Sequence, residues 1–401
     1  MQNSGMVGLK VKDEARCRTT IQAINLDANA NTAVTANVID AVTAALRDAA
    51  NPSSTHEGGA NARAILTEAR DAVSALVHGA CDEDVIFTSG CTEANNTILN
   101  AAALIGATLV TTEVEHPSVL ACANAFSRQG RDVRLIGVDA DGVVCLDQLK
   151  QVLEAVAGPV LVSVQSANSE TGVIQPIAQI AASLEGRSDV LFHSDAAQAF
   201  GKIPVRVGNG APHVISISGH KLHGPMGVGA IITAPGEHRI GPLLQGGDQQ
   251  GGRRAGTEPV ALISGLSAAC SARASNMLAD VDCMRELRDR LERSLIEQIP
   301  AAVVNGAAAD RLPNTSSITF TGIDGMALVA QLDAEGIMVS QGSACSSMRP
   351  TPSHILIAMG ISEKNAFSTV RFAVSPLNTA KEIDDAVDAV VRLCKKMGTF
   401  L

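Results

Sequence analysis

There is no tryptophan and no tyrosine in this 401-residue chain, and phenylalanine occurs only eight times. Aromatic stacking on a ligand therefore falls to phenylalanine or histidine. The nine cysteines are an odd number, scattered with no Cys-x-x-Cys pair, which suggests neither a disulfide framework nor a zinc site. A reducing cytoplasm is the simplest setting. The formal charge is −10 with no basic cluster, which argues against nucleic acid or an anionic membrane as the main partner. No predominantly apolar run reaches the roughly eighteen residues of a membrane span. The N-terminus mixes Lys10, Lys12, Asp13, Glu14 and Arg16 without an apolar block, so no secretory signal is expected and residues 1–23 are taken as a polar extension.

What the chain does have is a globular composition, 46% apolar, in a length that favours one large domain and a smaller one. Helical spacing at Val38, Val42 and Leu46, then at Ile65, Ala69, Val73 and Leu76, predicts two helices, broken at Asn51-Pro-Ser-Ser54 and stopped at Gly79. Strands and helices then alternate. Strands are expected over 85–88, 108–111, 133–138, 160–164 and 190–193, with helices over 93–105, 117–128, 146–156 and 177–184. That pattern is an α/β fold with a mostly parallel sheet covered by helices, and ligands in such sheets sit at the carboxyl ends of strands. A long helical tract from Glu258 to Ile299 is suited to joining two lobes. Beyond it, strands at 316–320, 337–339 and 369–374 and helices at 326–334 and 380–396 describe a small α/β domain. The stretch Gly246 to Gly256, with Arg253 and Arg254, is expected to be a flexible loop.

Three strand ends carry groups that belong together. Strand 85–88 runs into Ser89-Gly-Cys-Thr-Glu93, where free amides and the Thr92 hydroxyl at a helix start suit a phosphate. Strand 190–193 leads to Ser194 and Asp195, a carboxylate able to pair with a protonated ring nitrogen. Within the stretch His213 to Ile232, Lys221 lies on a short polar turn between two apolar runs. Low-dielectric surroundings there favour the neutral, nucleophilic amine. A phosphate cradle, an acid and a lysine in that order are what is needed to hold pyridoxal 5'-phosphate as a Schiff base.

The stretches Phe87-Thr-Ser-Gly-Cys-Thr-Glu93, Glu113-Val-Glu-His116, Glu170-Thr-Gly-Val-Ile-Gln-Pro176, His193-Ser-Asp-Ala-Ala-Gln198, Ser216-Ile-Ser-Gly-His-Lys221, Arg254-Ala-Gly-Thr257, Gly342-Ser-Ala-Cys345 and Val370-Arg-Phe372 resemble the cysteine desulfurases of the NifS/IscS kind. These are pyridoxal-phosphate enzymes of the class V aminotransferase group. The resemblance runs from about Asn25 to the final helix. It implies a fold-type I transferase, with a large domain over 24–270 built on a seven-stranded sheet and a small domain over 271–401. The segment near 24–35 would pack with the small one.

The resemblance also implies roles. Lys221 would bond the cofactor and move a proton, Asp195 would face the pyridine nitrogen, and Gln198 the ring oxygen. Thr92, Ser218 and His220 would hold the phosphate, with Cys91 beside them and Thr257 reaching across from a second subunit of a homodimer. His116 would stack on the ring and take part in catalysis. Asn29, Asn168 and Arg371 would bind the substrate, Arg371 as a fork on its carboxylate. Cys345, in the small, polar, proline-broken stretch Ser340 to Pro352, would take the sulfur of L-cysteine as a persulfide and pass it to a protein acceptor such as an iron-sulfur scaffold. No metal is expected.

Three positions depart from the family. Asn168-Ser169 stands where two asparagines are usual, so that either Ser169 makes a weaker contact to the ring oxygen or Asn168 takes over. Gln341 replaces a common serine, and Cys91 a common alanine. The chain also ends soon after its last helix, so a scaffold-gripping tail looks short. Rival readings are a selenocysteine lyase, an aminotransferase or another class V enzyme, and a non-catalytic partner of a sulfur acceptor.

Overall fold

The computed structural model describes residues 23–48, 50–342 and 351–398. Residues 1–22 of the expected extension over 1–23, and the Cys345 stretch 343–350, lie outside the described residues.

Seven strands form the central sheet: β1 Val85–Thr88, β2 Thr108–Thr112, β3 Val133–Ile136, β4 Val160–Ser163, β5 Val190–Asp195, β6 Val214–Ser218 and β7 Gly229–Thr233. Their spatial order is β1-β7-β6-β5-β4-β2-β3. Only β7 runs antiparallel to its neighbours β1 and β6; every other pairing is parallel. Except for β3, whose Arg134 and Leu135 are exposed at the edge, these strands are buried along their whole length. Helices cover both faces, which is why the strands are continuous apolar runs rather than alternating ones.

Helices α1 Ala36–Arg47, α2 Glu57–Ser74, α3 Cys91–Leu104, α4 Pro117–Arg128, α5 Leu146–Ala155 and α6 Ile177–Ser183 precede the long α7, Val260–Gln298. At 39 residues, α7 is about 58 Å long at 1.5 Å per residue. Its first turns bury Ile263, Leu266 and Cys270 against the β1–β7 side of the central sheet. Its last turns bury Met284, Leu287, Leu291 and Leu295 in a separate core with Phe320, Val370 and Phe372. That core lies on an antiparallel sheet of β8 Ala302–Val304, β9 Thr315–Phe320 and β10 Thr369–Ala373. Helix 325–334 and helix 380–397 add Leu328, Leu332, Val387 and Val390 to it.

Two expectations need correction. The α1 stripe at Val38, Val42 and Leu46 is only partly internal: Val38 is buried, whereas Leu46 is 63% exposed and Ala45 points inward instead. Two steps of four residues turn a side chain about 80° around a 3.6-residue helix, which carries Leu46 off the buried face. The 246–256 stretch is not a free loop. The Gln250 amide bonds the backbone of Phe87 in both directions, at 2.8 and 2.9 Å, and so covers the free edge of β1. Arg253 donates to the Glu83 carbonyl, and Arg254 pairs with Glu93 at 2.9 Å.

Candidate active site

The lysine turn is clamped by the N-terminal segment. Thr32 donates to the His220 carbonyl from both its amide and its hydroxyl, and that hydroxyl accepts from the His223 amide at 2.7 Å. The Lys221 Nζ donates to the carbonyls of Asn29 and Ala30, the latter at 2.8 Å. Burial lowers its pKa from 10.5 to about 8, helped by the charge of Arg371. An amine so placed is partly neutral at physiological pH.

Asp195 closes β5 rather than sitting in the turn after it. Its Oδ2 accepts from Asn95 Nδ2 at 2.7 Å, and its Oδ1 from the Ala197 amide at 2.9 Å and from Cys91 Sγ at 3.3 Å. These donors hold a carboxylate that is only 7% exposed. Asn95 is the hub beneath it. Because a carboxylate can only accept, the Asn95 amide nitrogen must face Asp195, and it also reaches Ser118 Oγ at 2.9 Å. Ser118 in turn lies 2.8 Å from His116 Nδ1, which accepts the Ser118 amide as well. The His116 proton therefore sits on Nε2, and burial keeps the ring below its ordinary pKa. Beside His116, burial lifts the Glu115 carboxyl to about 8 while it receives the Gln165 amide and the Thr112 hydroxyl.

The phosphate end is built on α3. Gly90, at φ 150°, caps that helix without any side-chain bond, leaving its first turn open. The Ser218 hydroxyl, at the end of β6, has no partner among the described residues, and a Cβ on Gly90 would stand 3.9 Å from it. Thr92 is exposed at the same corner. His220 lies 3.1 Å from Asn31 Oδ1, and burial followed by the Lys221 charge lowers its pKa to about 4. The corner depends on Gly229, where a Cβ would fall 2.4 Å from the Ile217 carbonyl and 2.8 Å from the Gly90 Cα. Thr257 is exposed, just before α7.

Arg371 comes from β10 of the other sheet. It is 5% exposed; NH1 donates to the Ser169 carbonyl at 3.1 Å, NH2 to Asp27 Oδ1 at 2.6 Å, and buried Nε has no partner among the described residues. Asn29 and Asn168 meet this cluster with their side chains already engaged. The Asn29 amide binds the Ser169 carbonyl and Thr315, and accepts from Asn314. The Asn168 carboxamide accepts the Glu170 and Thr171 amides and donates to the Val114 carbonyl. The Ser169 hydroxyl has no partner among the described residues. Gln198 donates to the Asn29 carbonyl at 3.1 Å and accepts from Lys202 at 3.0 Å. Lys202 is fully buried, which drives its pKa well down.

A family model, "Aminotransferase class-V", matches residues 24–386. The chain belongs to the class V aminotransferase family. It is 38% identical over 381 residues to a protein of Nostoc sp. named cysteine desulfurase, covering 94% of each chain. It is 38% identical over 372 residues to "Cysteine desulfurase NifS" of Azotobacter vinelandii, covering 92% of this chain and 91% of that one. Among solved structures, a NifS-like protein superposes with TM-score 0.85 at 31% identity, covering 93% of this chain and all of the other. DndA from Streptomyces lividans gives 0.71 at 31%, covering 86% and 98%.

The family member thus gathers Lys221, Asp195, His116, Gln198, Ser218, His220 and Arg371 around the carboxyl ends of β1, β2, β5 and β6. Sequence reasoning missed Asp27, Asn95 and Lys202. Asn95 carried a signal, as a polar residue one turn into a helix otherwise facing the sheet. Asp27 carried none, since its partner is 344 residues away. No metal-holding group of histidine, cysteine and carboxylates occurs among the described residues, and no described helix is long and apolar enough to cross a membrane.

Proposed function

We propose that this chain is a pyridoxal-phosphate-dependent cysteine desulfurase that converts L-cysteine to L-alanine and leaves the sulfur as a persulfide on Cys345. The observation that carries this reading is the convergence of a half-buried lysine whose pKa is lowered to about 8, a triply bonded Asp195 and an arginine whose Nε has no partner among the described residues. The residues suit the cofactor: the open first turn of α3, Ser218 and His220 for its phosphate, Asp195 for its ring nitrogen, and His116 over its face. Gln198 would reach the ring oxygen with the second N–H of its amide, the first being held by the Asn29 carbonyl, and Ser169, whose hydroxyl has no partner among the described residues, would reach it beside Gln198 in place of Asn168. When bound, the cofactor withdraws electrons from the substrate α-carbon.

The chain's own groups do the rest. Arg371 holds the substrate carboxylate. Lys221, once released by the incoming amine, accepts the α-proton at Nζ, its basicity near neutral as a general base requires. The Cys345 thiolate forms an S–S bond to the substrate sulfur as the C–S bond breaks; the carbon keeps that electron pair and takes a proton, giving alanine. The same reading makes the protein a cytoplasmic homodimer, Thr257 serving the second subunit's site, that supplies sulfur to a protein acceptor for iron-sulfur assembly. It divides the chain near residue 270 into two domains.

The test is a mass spectrum of holoenzyme stopped early with L-cysteine. One extra sulfur on the Cys345 peptide, absent in Cys345→Ser, is expected, together with a visible absorption band lost in Lys221→Ala. Alanine formed by Cys345→Ser at the wild-type rate sinks the desulfurase reading in favour of another class V activity.

A further inference from the structure

The ion pair between Asp27 and Arg371 joins the N-terminal segment to the carboxylate-binding cation. The side chains alone differ in exposure, 6% for Arg371 and 24% for Asp27, so the acid is the more open to solvent. Arg371 is fixed from behind by the Ser169 carbonyl, while its Nε points to no described partner. Asp27 also lies near enough to Lys221 for its charge to act on that amine. An acid is thus paired with the cation that receives a carboxylate and lies within electrostatic reach of the lysine whose place the substrate amine takes. An α-amino acid carries both complementary charges on neighbouring atoms.

We propose that Asp27 is a specificity-determining residue: the internal counter-ion of Arg371 in the free enzyme, and the acceptor of the substrate's α-ammonium in the encounter complex, before that group loses its proton to solvent and the amine takes the place of Lys221. This rests on the reading of Arg371 as the carboxylate site. A plain carboxylate arriving at Arg371 must displace Asp27 or sit beside it, and like charges in a half-buried site repel. A zwitterion brings the cation that replaces the lost contact. The site therefore selects for the amine by penalising anions without one, a repulsive element of discrimination.

L-Alanine and propionate, which differ by the amine alone, are the probes, titrated calorimetrically into holoenzyme. In Asp27→Asn, propionate should tighten by on the order of tenfold, while L-alanine binds unchanged or more weakly. Asp27→Glu should keep the wild-type preference for L-alanine, and if Asp27→Asn does not fold, Asp27→Ser is compared in the same way. An affinity ratio in the neutral variants equal to that of the wild type overturns the proposal. Arg371→Gln separates the two levels. If it binds both probes as the wild type does, the carboxylate reading fails and this inference with it. If binding needs Arg371 but the ratio ignores Asp27, only the role of Asp27 falls.

Discussion

The Cys91 thiol lies 3.3 Å from one oxygen of Asp195 and 3.3 Å from the Ser216 hydroxyl. It is a half-buried cysteine at the base of the site that serves as a donor. Burial, followed by the Asp195 charge, pushes its pKa well above the ordinary thiol range. A thiolate there would face a carboxylate in a low dielectric. Iodoacetamide at pH 8 should therefore label the exposed Cys81 and Cys145 and leave Cys91 intact, read by peptide mass spectrometry. Rapid labelling of Cys91 in the folded protein would contradict its role as a protonated donor.

Asn95→Ala removes the 2.7 Å bond to Asp195 and the 2.9 Å bond to Ser118. A buried carboxylate that loses a donor costs about 1–3 kcal/mol, so the urea midpoint should drop and cofactor affinity should fall. Asn95→Asp should be worse, since it sets two carboxylates against each other. Equal stability of all three proteins would show that the hub is not under load.

The lowered pKa of Lys221 fixes two pH dependences. Addition of pyridoxal phosphate to the apoprotein requires the neutral amine, so its rate should rise with pH and level off above about 8. In the same apoprotein the unfolded chain binds more protons than the folded one between about 8 and 10.5. Lys221 then makes stability rise with pH across that window, because its folded-state pKa is the lower of the two. Lys221→Ala should abolish that component of the pH slope in urea melts while keeping a cooperative transition. A slope that survives the substitution assigns the effect to other groups.

Gly229→Ala places a methyl 2.4 Å from the Ile217 carbonyl and 2.8 Å from the Gly90 Cα. Both neighbours are backbone, in a sheet that cannot open locally, so overpacking should cost about 3 kcal/mol. Strand β7 and the start of α3 should separate, and phosphate affinity should fall along with stability. Wild-type binding of inorganic phosphate by a stable variant would show that the Gly90 corner is not where anions bind.

Much of this was legible in the chain. Helix 117–128 and strand 85–88 fall where periodicity and turn residues put them, because a strand covered on both faces must be a short apolar run between polar breaks. Lys221 was legible for the same reason, as a polar turn following such a run. Leu46 was not, because a four-residue step approximates the helical repeat only over one turn. Gln250 was not either. A glycine-rich stretch announces conformational freedom, and only the fold shows the β1 edge to which Gln250 binds.

The sequence by itself determined the elements, their order and the groups placed at strand ends, because these follow from spacing within a few residues. It also supplied the motifs that mark the family. Tertiary structure decided which of those groups keep free valences: Asn29 and Asn168 carry the expected amides, yet folding engages both and leaves the Ser169 hydroxyl and the Nε of Arg371 without a partner among the described residues. It alone brought Asp27 to Arg371 and Asn95 to Asp195. Hydrogen bonds are short and directional, so whether a side chain meets a partner depends on where distant segments pass, which local pattern does not encode.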